Sequence, residues 1–324
     1  MGMPARVFAL AFGVVMTAGC GAKADGSAGT PLSSSSPAST ALAAQQPEDE
    51  APAADKTGGF DGKRAYAHVA KQVAFGPRPS GSAAIGQLQE YIQSELTSYG
   101  CKVDVDSFTA DTPVGRLPMK NIVTKIPGDK AGIIMLATHY DTKRLDSFVG
   151  ADDGASSTAV MLELARLLCG KHSAYQVWIT FFDGEEAVKF TWQDPDNRYG
   201  SRQMAAKMAI SGDLPKIKAL LLADMVGSRN LRFRREADST KALSDLIWST
   251  AARLGYSDIF VNESSATVDD HIIFLKRGVP AVDIIDFEIP YWHTVNDTLD
   301  KVSAKSVAIV GHVILESVKQ LQSK

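Results

Sequence analysis

Four short apolar runs, separated by helical patterns, constrain the fold of this chain more than any other feature. The runs cover residues 133–138, 177–182, 219–223 and 281–285. Helical periodicity occurs at residues 61–75, 83–99, 156–168, 201–210, 239–254 and 303–321, and two further strand patterns occur at 101–106 and 121–126. Apolar strands that alternate with helices are typical of a mostly parallel sheet with helices on both faces. We therefore predict an α/β fold in a single domain with a central mixed, mostly parallel β-sheet.

Polar residues of metal-binding type follow every one of the four runs. They are His139, Asp141 and the pair Asp152–Asp153 after the first run, Glu185–Glu186 after the second, Asp224 after the third and His293 after the fourth. Taken singly, each has an ordinary explanation, such as a helix N-cap for Asp153, a turn for Asp224 or a core histidine for His139. Open α/β sheets bind ligands at the carboxyl ends of their strands, so the recurrence at four strand ends predicts a metal site.

The residue types favour zinc. Imidazole nitrogen and carboxylate oxygen are usual zinc ligands, and a catalytic site keeps one position open for water or substrate. Asp153, Glu186 and His293 would form such a three-ligand set. Glu185 directly precedes Glu186, and neighbouring side chains in an extended segment point to different faces. One carboxylate of this pair can therefore bind a metal while the other transfers protons.

The first 57 residues are predicted to lie outside the folded domain. Residues 1–20 contain an apolar run and small residues before Cys20, which is typical of a secretion signal with a lipobox-like end, although Thr17 departs from that pattern. An ordinary signal peptide with an incidental cysteine is the alternative. Residues 21–57 are rich in Ala, Ser, Pro and Gly and are expected to form a disordered tether, which leaves residues 58–324 as the catalytic domain.

These features predict where the protein acts and what it contacts. With a lipid on Cys20, we expect an exported monomer, periplasmic or at the cell surface, that touches the membrane only through its anchor. The net charge of -3 gives no electrostatic case for nucleic-acid binding. Cys101 and Cys169 are compatible with a disulfide in an exported protein, but two buried free thiols are at least as compatible.

Several short motifs of the predicted domain are shared with a known enzyme family. Residues 150–156 (GADDGAS), with His139, Glu185–Glu186, Asp224 and His293, resemble the zinc aminopeptidase-like family, peptidase family M28. More narrowly, the chain is similar to the glutaminyl-peptide cyclotransferases (glutaminyl cyclases) in the segments 76–82 (GPRPSGS), 181–187 (FFDGEEA), 199–202 (YGSR), 269–280 (DDHIIFLKRGVP) and 292–294 (WHT). The resemblance covers essentially the whole predicted domain and implies the phosphorylase/hydrolase-like fold of that family.

The resemblance also implies a role for each site residue. A single zinc ion would be held by Asp153, Glu186 and His293, and Glu185 would be the general acid/base. The other implied site residues are Asp269 and Asp224 as hydrogen-bonding partners, with Asp270 as the alternative to Asp269, and Trp192 and Trp292 as walls of the substrate pocket. The sequence departs from the animal enzymes by one extra residue between Glu186 and Trp192, and by a different loop at residues 287–291.

Three functional hypotheses follow from these residues. The resemblance implies a glutaminyl-peptide cyclotransferase, which converts the N-terminal glutamine of peptides or proteins to pyroglutamate and releases ammonia. The alternative is a metallo-aminopeptidase with two zinc ions, the second bound by His139 and Asp224 with Asp153 bridging. The third is a surface lipoprotein that only binds ligands, and the intact Glu185 argues against it.

Overall fold

The central element of the structure is a six-stranded mixed β-sheet. The computed structural model describes residues 50–323, so the predicted signal segment, Cys20 and most of the predicted tether lie outside the described residues. The described strands are β1 (Val103–Thr112), β2 (Gly115–Ile126), β3 (Gly128–His139), β4 (Ser173–Phe182), β5 (Ile217–Asp224), β6 (Phe233–Glu236), β7 (Phe260–Ser265) and β8 (Ala281–Ile285). The sheet has the order β1-β2-β4-β3-β5-β8, and its last four strands run parallel to one another. The predicted α/β class with a mixed, mostly parallel sheet is confirmed.

Seven α-helices are described in residues 50–323. They are α1 (Gly62–Val73), α2 (Ala83–Ser98), α3 (Ala155–Leu168), α4 (Tyr199–Ser211), α5 (Lys241–Arg253), α6 (Asp270–Leu275) and α7 (Ala304–Gln322). Each of the six longer helices was predicted to within two residues at either end. Along residues 50–323, no helix combines the length and apolar character needed to cross a membrane.

The inner strands are apolar throughout because both faces of the sheet are covered. Along β3, Ile134 and Leu136 pack into the core that contains α1, α2, α3, α5 and α7. Met135 and Ala137, on the alternate positions, pack into a second core with α4 and α6. Successive side chains of a strand point to opposite faces, so a strand buried on both sides reads as one continuous apolar run.

Two peripheral β-structures differ from the prediction. One is a hairpin that is longer than predicted, and the other is a separate pair of strands that was not predicted. β1 and β2 form a long antiparallel hairpin, but β2 pairs with β4 only from Ile122 to Ile126, so the rest of the hairpin extends beyond the sheet. β6 and β7 form a separate two-stranded parallel sheet, and β7 is largely exposed. Strands with little buried surface carry few apolar residues, so alternation of apolar side chains does not mark them.

The packed body begins before residue 58, the boundary predicted from composition. Ala51 is 7% exposed, and the segment Ala54–Thr57 forms a 3₁₀-helix. Thr57 is fully buried, and its hydroxyl donates to the Phe60 carbonyl oxygen at 2.6 Å. Residues 51–57 therefore pack with the domain rather than forming part of a tether. Composition missed this because the contacts are made by single small residues.

Cys101 and Cys169 form a disulfide bond, with their Cα atoms 5.2 Å apart. Cys101 follows the C-terminal end of α2, and Cys169 follows the C-terminal end of α3. The two helix ends meet in the folded domain although the cysteines are 68 positions apart. The sequence was compatible with a disulfide and with two free thiols, and the structure has the disulfide.

Gly311 allows α7 to approach Phe60 closely. A Cβ atom at residue 311 would lie 2.2 Å from the Phe60 ring, which is fully buried. We expect Gly311→Ala to lower the free energy of unfolding, because overpacking costs about 1–3 kcal/mol and outweighs the gain in helix propensity of about 1 kcal/mol. Gly86→Ala on α2 is the matched control, since nothing lies within 4 Å of its Cβ position. Denaturant unfolding of both variants checks this, and a Gly311→Ala protein as stable as Gly86→Ala would contradict it.

Candidate metal centre and active site

The carboxyl ends of four parallel strands bring the predicted site residues together. β4, β3, β5 and β8 are neighbours in that order, so the segments that follow them lie along one edge of the sheet. His139 is the last residue of β3 and Asp224 the last residue of β5. Glu185 and Glu186 follow β4, and His293 lies in the loop after β8. The convergence inferred from the sequence is therefore observed.

Asp153, Glu186 and His293 form one group that could hold a metal ion. The Nε2 atom of His293 lies 2.9 Å from Oε1 of Glu186 and 3.4 Å from Oδ2 of Asp153. Both carboxylates are buried, and His293 is half-buried. One imidazole nitrogen and two carboxylate oxygens match the ligand set of a catalytic zinc site that leaves a position open.

His139, Asp153 and Asp224 form a second group of the same kind. The Nε2 atom of His139 lies 3.0 Å from Oδ1 of Asp224 and 3.3 Å from Oδ1 of Asp153. Asp153 thus contributes one oxygen to each group. This is the arrangement that the aminopeptidase hypothesis requires for two metals, and it leaves both hypotheses geometrically possible.

Unpaired buried atoms indicate that the first group suits a cation. Within residues 50–323, Oδ2 of Asp153 and Oε2 of Glu186 are buried without a hydrogen-bond partner. Burying polar atoms without a partner is costly, and carboxylates that share a buried site need a positive charge. Zinc would supply that charge and would occupy the free lone pairs, so the residues fit the metal that they were predicted to bind.

The pKa values of the site residues reflect the same excess of buried negative charge. Burial disfavours the anion of Asp153, but its contacts with His139 and His293 outweigh burial and hold its pKa below the usual range. Burial likewise opposes protonation of His293, yet Glu186 and Asp153 raise its pKa to about 10. Burial raises the pKa of Asp224 to about 7, partly offset by His139. The histidines thus hold protons beside the carboxylates, and a bound metal would displace them.

Two backbone features place the Glu185–Glu186 pair over the sheet edge. Gly184 has a positive φ of 69°, and a Cβ atom there would lie 2.7 Å from the sulfur of Met119. Only glycine makes this turn without strain. The Asp141 carboxylate then accepts hydrogen bonds from the backbone N–H groups of Glu185 at 3.1 Å and Glu186 at 3.3 Å. Asp141 therefore fixes the backbone of both glutamates, a role that the sequence did not reveal.

Glu185 lies beside the first ligand group without belonging to it. Its side chain is 5% exposed and lines the pocket together with Asp224 and Asp269. Burial and the nearby charge of Asp269 raise the pKa of Glu185 well above its usual value. Asp269 caps α6 and reaches the pocket wall, whereas Asp270 is buried but does not line the pocket. The geometry thus favours Asp269 over the alternative Asp270.

A pocket of about 230 Å³ opens above the first ligand group. Its walls include both predicted tryptophans, Trp192 and Trp292. The Trp292 ring stacks on the imidazole of His293, with ring centroids 3.9 Å apart. Lys143 is buried, and its ammonium group lies 5.8 Å from the Trp192 ring centroid and 3.6 Å from Oε2 of Glu186. The pocket is therefore narrow, mostly apolar in its walls and acidic at its floor.

A third buried group, behind the pocket wall, was not predicted. The imidazole of His271 lies between two carboxylates, with Nε2 3.0 Å from Glu236 and Nδ1 3.6 Å from Asp283. Burial raises the pKa of Asp283 well above its usual value. One signal for this group was present in the sequence, because Asp283 interrupts the apolar run at residues 281–285. Its partner Glu236 belongs to a strand that the sequence did not predict.

Comparison with known proteins yields matches over the whole of this region. The model of peptidase family M28 matches residues 121–318. The glutaminyl-peptide cyclotransferase of Drosophila melanogaster is 30% identical over 266 residues, covering 72% of this chain and 75% of that protein. The glutaminyl-peptide cyclotransferase-like protein of Bos taurus is 34% identical over 253 residues, covering 68% of this chain and 66% of that protein. The crystal structure of an Acidobacteriales bacterium glutaminyl cyclase superposes with a TM-score of 0.77 at 39% identity, covering 87% of this chain and 99% of that one.

Proposed function

The chain belongs to peptidase family M28, and because it matches a glutaminyl-peptide cyclotransferase at 30% identity and the structure of a glutaminyl cyclase at 39% identity, we infer that it is a glutaminyl-peptide cyclotransferase. It converts the N-terminal glutamine of peptides or proteins to pyroglutamate. One observation carries the proposal at the level of the site. The group of Asp153, Glu186 and His293 lies at the floor of a narrow pocket with Glu185 beside it and two tryptophans in its walls.

We propose that Asp153, Glu186 and His293 hold one zinc ion, whose Lewis acidity would polarise the side-chain amide carbonyl of the substrate glutamine. The donor set, the unpaired buried oxygens and the open pocket above the group support this assignment. Trp192 and Trp292 confine the glutamine side chain. Confinement favours the folded conformer in which the α-amine approaches the amide carbon, and an intramolecular attack gains much from such orientation.

Glu185 transfers the proton in this mechanism. The α-amine nitrogen forms a bond to the side-chain amide carbon, and Glu185 accepts the proton that the amine loses. The bond between that carbon and the amide nitrogen then breaks, and Glu185 delivers the proton to the departing ammonia. No water is consumed and the proton count balances. Asp269 and Asp224, which line the pocket beside Glu185, orient its carboxylate and the substrate amine.

The proposal of a single zinc ion leaves His139 and Asp224 bonded to each other rather than to a second metal ion. Nε2 of His139 and Oδ1 of Asp224 lie 3.0 Å apart, within hydrogen-bonding distance of each other. We propose that this hydrogen bond is kept and holds Asp224 toward the pocket. The aminopeptidase alternative requires the hydrogen bond to break so that both residues can bind a second zinc ion.

The test is mass spectrometry on two matched peptides. The protein, loaded with zinc, is incubated with a short peptide that begins with glutamine and with the same peptide beginning with leucine. We expect the glutamine peptide to lose the mass of ammonia and the leucine peptide to remain unchanged. Release of a free amino acid from either peptide would overturn the proposal in favour of an aminopeptidase.

A further inference from the structure

Asp297 is a fully buried carboxylate that the mechanism above does not use. One of its oxygens accepts a hydrogen bond from the backbone N–H of Asp152 at 2.8 Å. The other accepts one from the backbone N–H of Asp153 at 3.0 Å. The carboxylate therefore binds two consecutive N–H groups, the second of which belongs to a proposed zinc ligand.

The backbone of Asp297 connects the same loop to the segment that carries His293. Its carbonyl oxygen accepts a hydrogen bond from the N–H of Ala151 at 3.3 Å, and its own N–H donates to the carbonyl of Thr294 at 3.1 Å. His293 itself has a positive φ of 51°, so its position depends on how this turn is held. One residue thus bonds to the backbone on both sides of the ligand group.

Asp152 reinforces the connection with its side chain. It accepts a hydrogen bond from the N–H of Gly227 at 2.7 Å and one from the hydroxyl of Tyr291 at 3.0 Å. Gly227 follows Asp224 on the loop after β5, and Tyr291 precedes His293. Three loops that carry site residues are therefore joined through two adjacent buried carboxylates.

We propose that Asp297 is a positioning residue, which fixes Asp153 and His293 relative to each other before a metal binds. The two ligands come from different loops, and groups that orient a metal ligand raise the affinity for the metal. Asp141 holds the Glu185–Glu186 backbone in the same way, so on both sides of the site a buried carboxylate accepts hydrogen bonds from two consecutive backbone N–H groups. The inference rests on the zinc site of the proposed function, and its test measures metal binding rather than turnover.

The test compares Asp297→Asn with Glu163→Gln. Asparagine offers one acceptor oxygen, so one of the two backbone N–H groups would face an NH₂ group and lose its hydrogen bond. We expect the zinc Kd of Asp297→Asn, from competition with a chelator, to rise by about 10–100-fold. Glu163 is an equally buried carboxylate that accepts a backbone hydrogen bond from Asp61 at 2.9 Å, outside the metal centre. Its variant should keep the wild-type zinc Kd.

Two further readouts separate positioning from general stability. The visible spectrum of the cobalt-substituted protein should change in Asp297→Asn and not in Glu163→Gln, because it reports ligand geometry. In the metal-free wild type, the N–H groups of Asp152 and Asp153 should exchange slowly with deuterium, a measurement that needs no variant to fold. Fast exchange of these groups, or a wild-type zinc Kd and spectrum in Asp297→Asn, would overturn the proposal. Normal zinc binding without cyclase activity would instead overturn the proposed function alone.

Discussion

The Glu185→Gln variant is expected to bind zinc like the wild type and to lose a factor of about 10²–10⁴ in kcat, the usual contribution of a general acid or base. Glutamine has nearly the same shape as glutamate, so the pocket and the hydrogen bond from the residue-185 backbone to Asp141 are retained. The amide cannot accept the proton of the substrate amine. Because Glu185 is outside both ligand groups, its loss should leave the metal in place.

The neighbouring ligand provides the control for this variant. Glu186→Gln makes the same chemical change one position along the chain, but removes a charged ligand from the group with Asp153 and His293. Ammonia release from a glutamine peptide gives kcat, and elemental analysis gives zinc per chain. We expect zinc to be retained in Glu185→Gln and lost in Glu186→Gln. A wild-type kcat in Glu185→Gln would contradict the role of Glu185 as general acid/base. Loss of zinc from this variant would identify Glu185 as a zinc ligand.

The parts of the fold that could be predicted are those whose residues are buried in a regular pattern. The helix α2 presents Ile85, Leu88, Ile92 and Leu96, which are all at most 2% exposed. The inner strands are apolar because helices cover both sides. Burial of this kind leaves a period of 3.6 or a continuous run in the sequence, and either can be recognised without a structure.

The candidate site could be predicted for a related reason. Its residues lie at the ends of the strands or in the loops that follow them, so locating the strands also located the residues. A sheet of parallel strands then brings the ends together, which is why His139 and Asp224 meet although they are far apart in the chain. The resemblance to glutaminyl cyclases added the roles, which neither spacing nor periodicity supplies.

Features that depend on long-range partners could not be predicted. The disulfide of Cys101 and Cys169 requires two helix ends to meet, which no local pattern records. Asp297 appears in the sequence as one more polar loop residue, and only the structure shows that it binds the N–H groups of Asp152 and Asp153. The lipid on Cys20 and the tether over residues 21–49 stay predictions, because they lie outside residues 50–323.

His293→Ala is expected to abolish zinc binding and to reduce cyclase activity to background. The substitution removes the imidazole whose Nε2 lies beside Glu186 and Asp153. Two buried carboxylates would remain without a neutral nitrogen donor, a weaker and less selective ligand set for zinc. Zinc per chain after dialysis, measured together with ammonia release, checks both parts. His172→Ala is the control, because His172 is exposed and its imidazole contacts only the exposed Asp129 among the ion pairs of the described residues.

The zinc content of His293→Ala also distinguishes the two enzymatic hypotheses. With a single zinc ion at Asp153, Glu186 and His293, the wild type should hold one zinc per chain and the variant none. If His139 and Asp224 bound a second ion with Asp153, the wild type would hold two and the variant would retain one. We expect the first result, because the proposed cyclotransferase uses a single zinc ion and leaves Nε2 of His139 and Oδ1 of Asp224, which lie 3.0 Å apart, bonded to each other. Retention of one zinc by His293→Ala would therefore contradict the proposed ligand set and revive the aminopeptidase hypothesis.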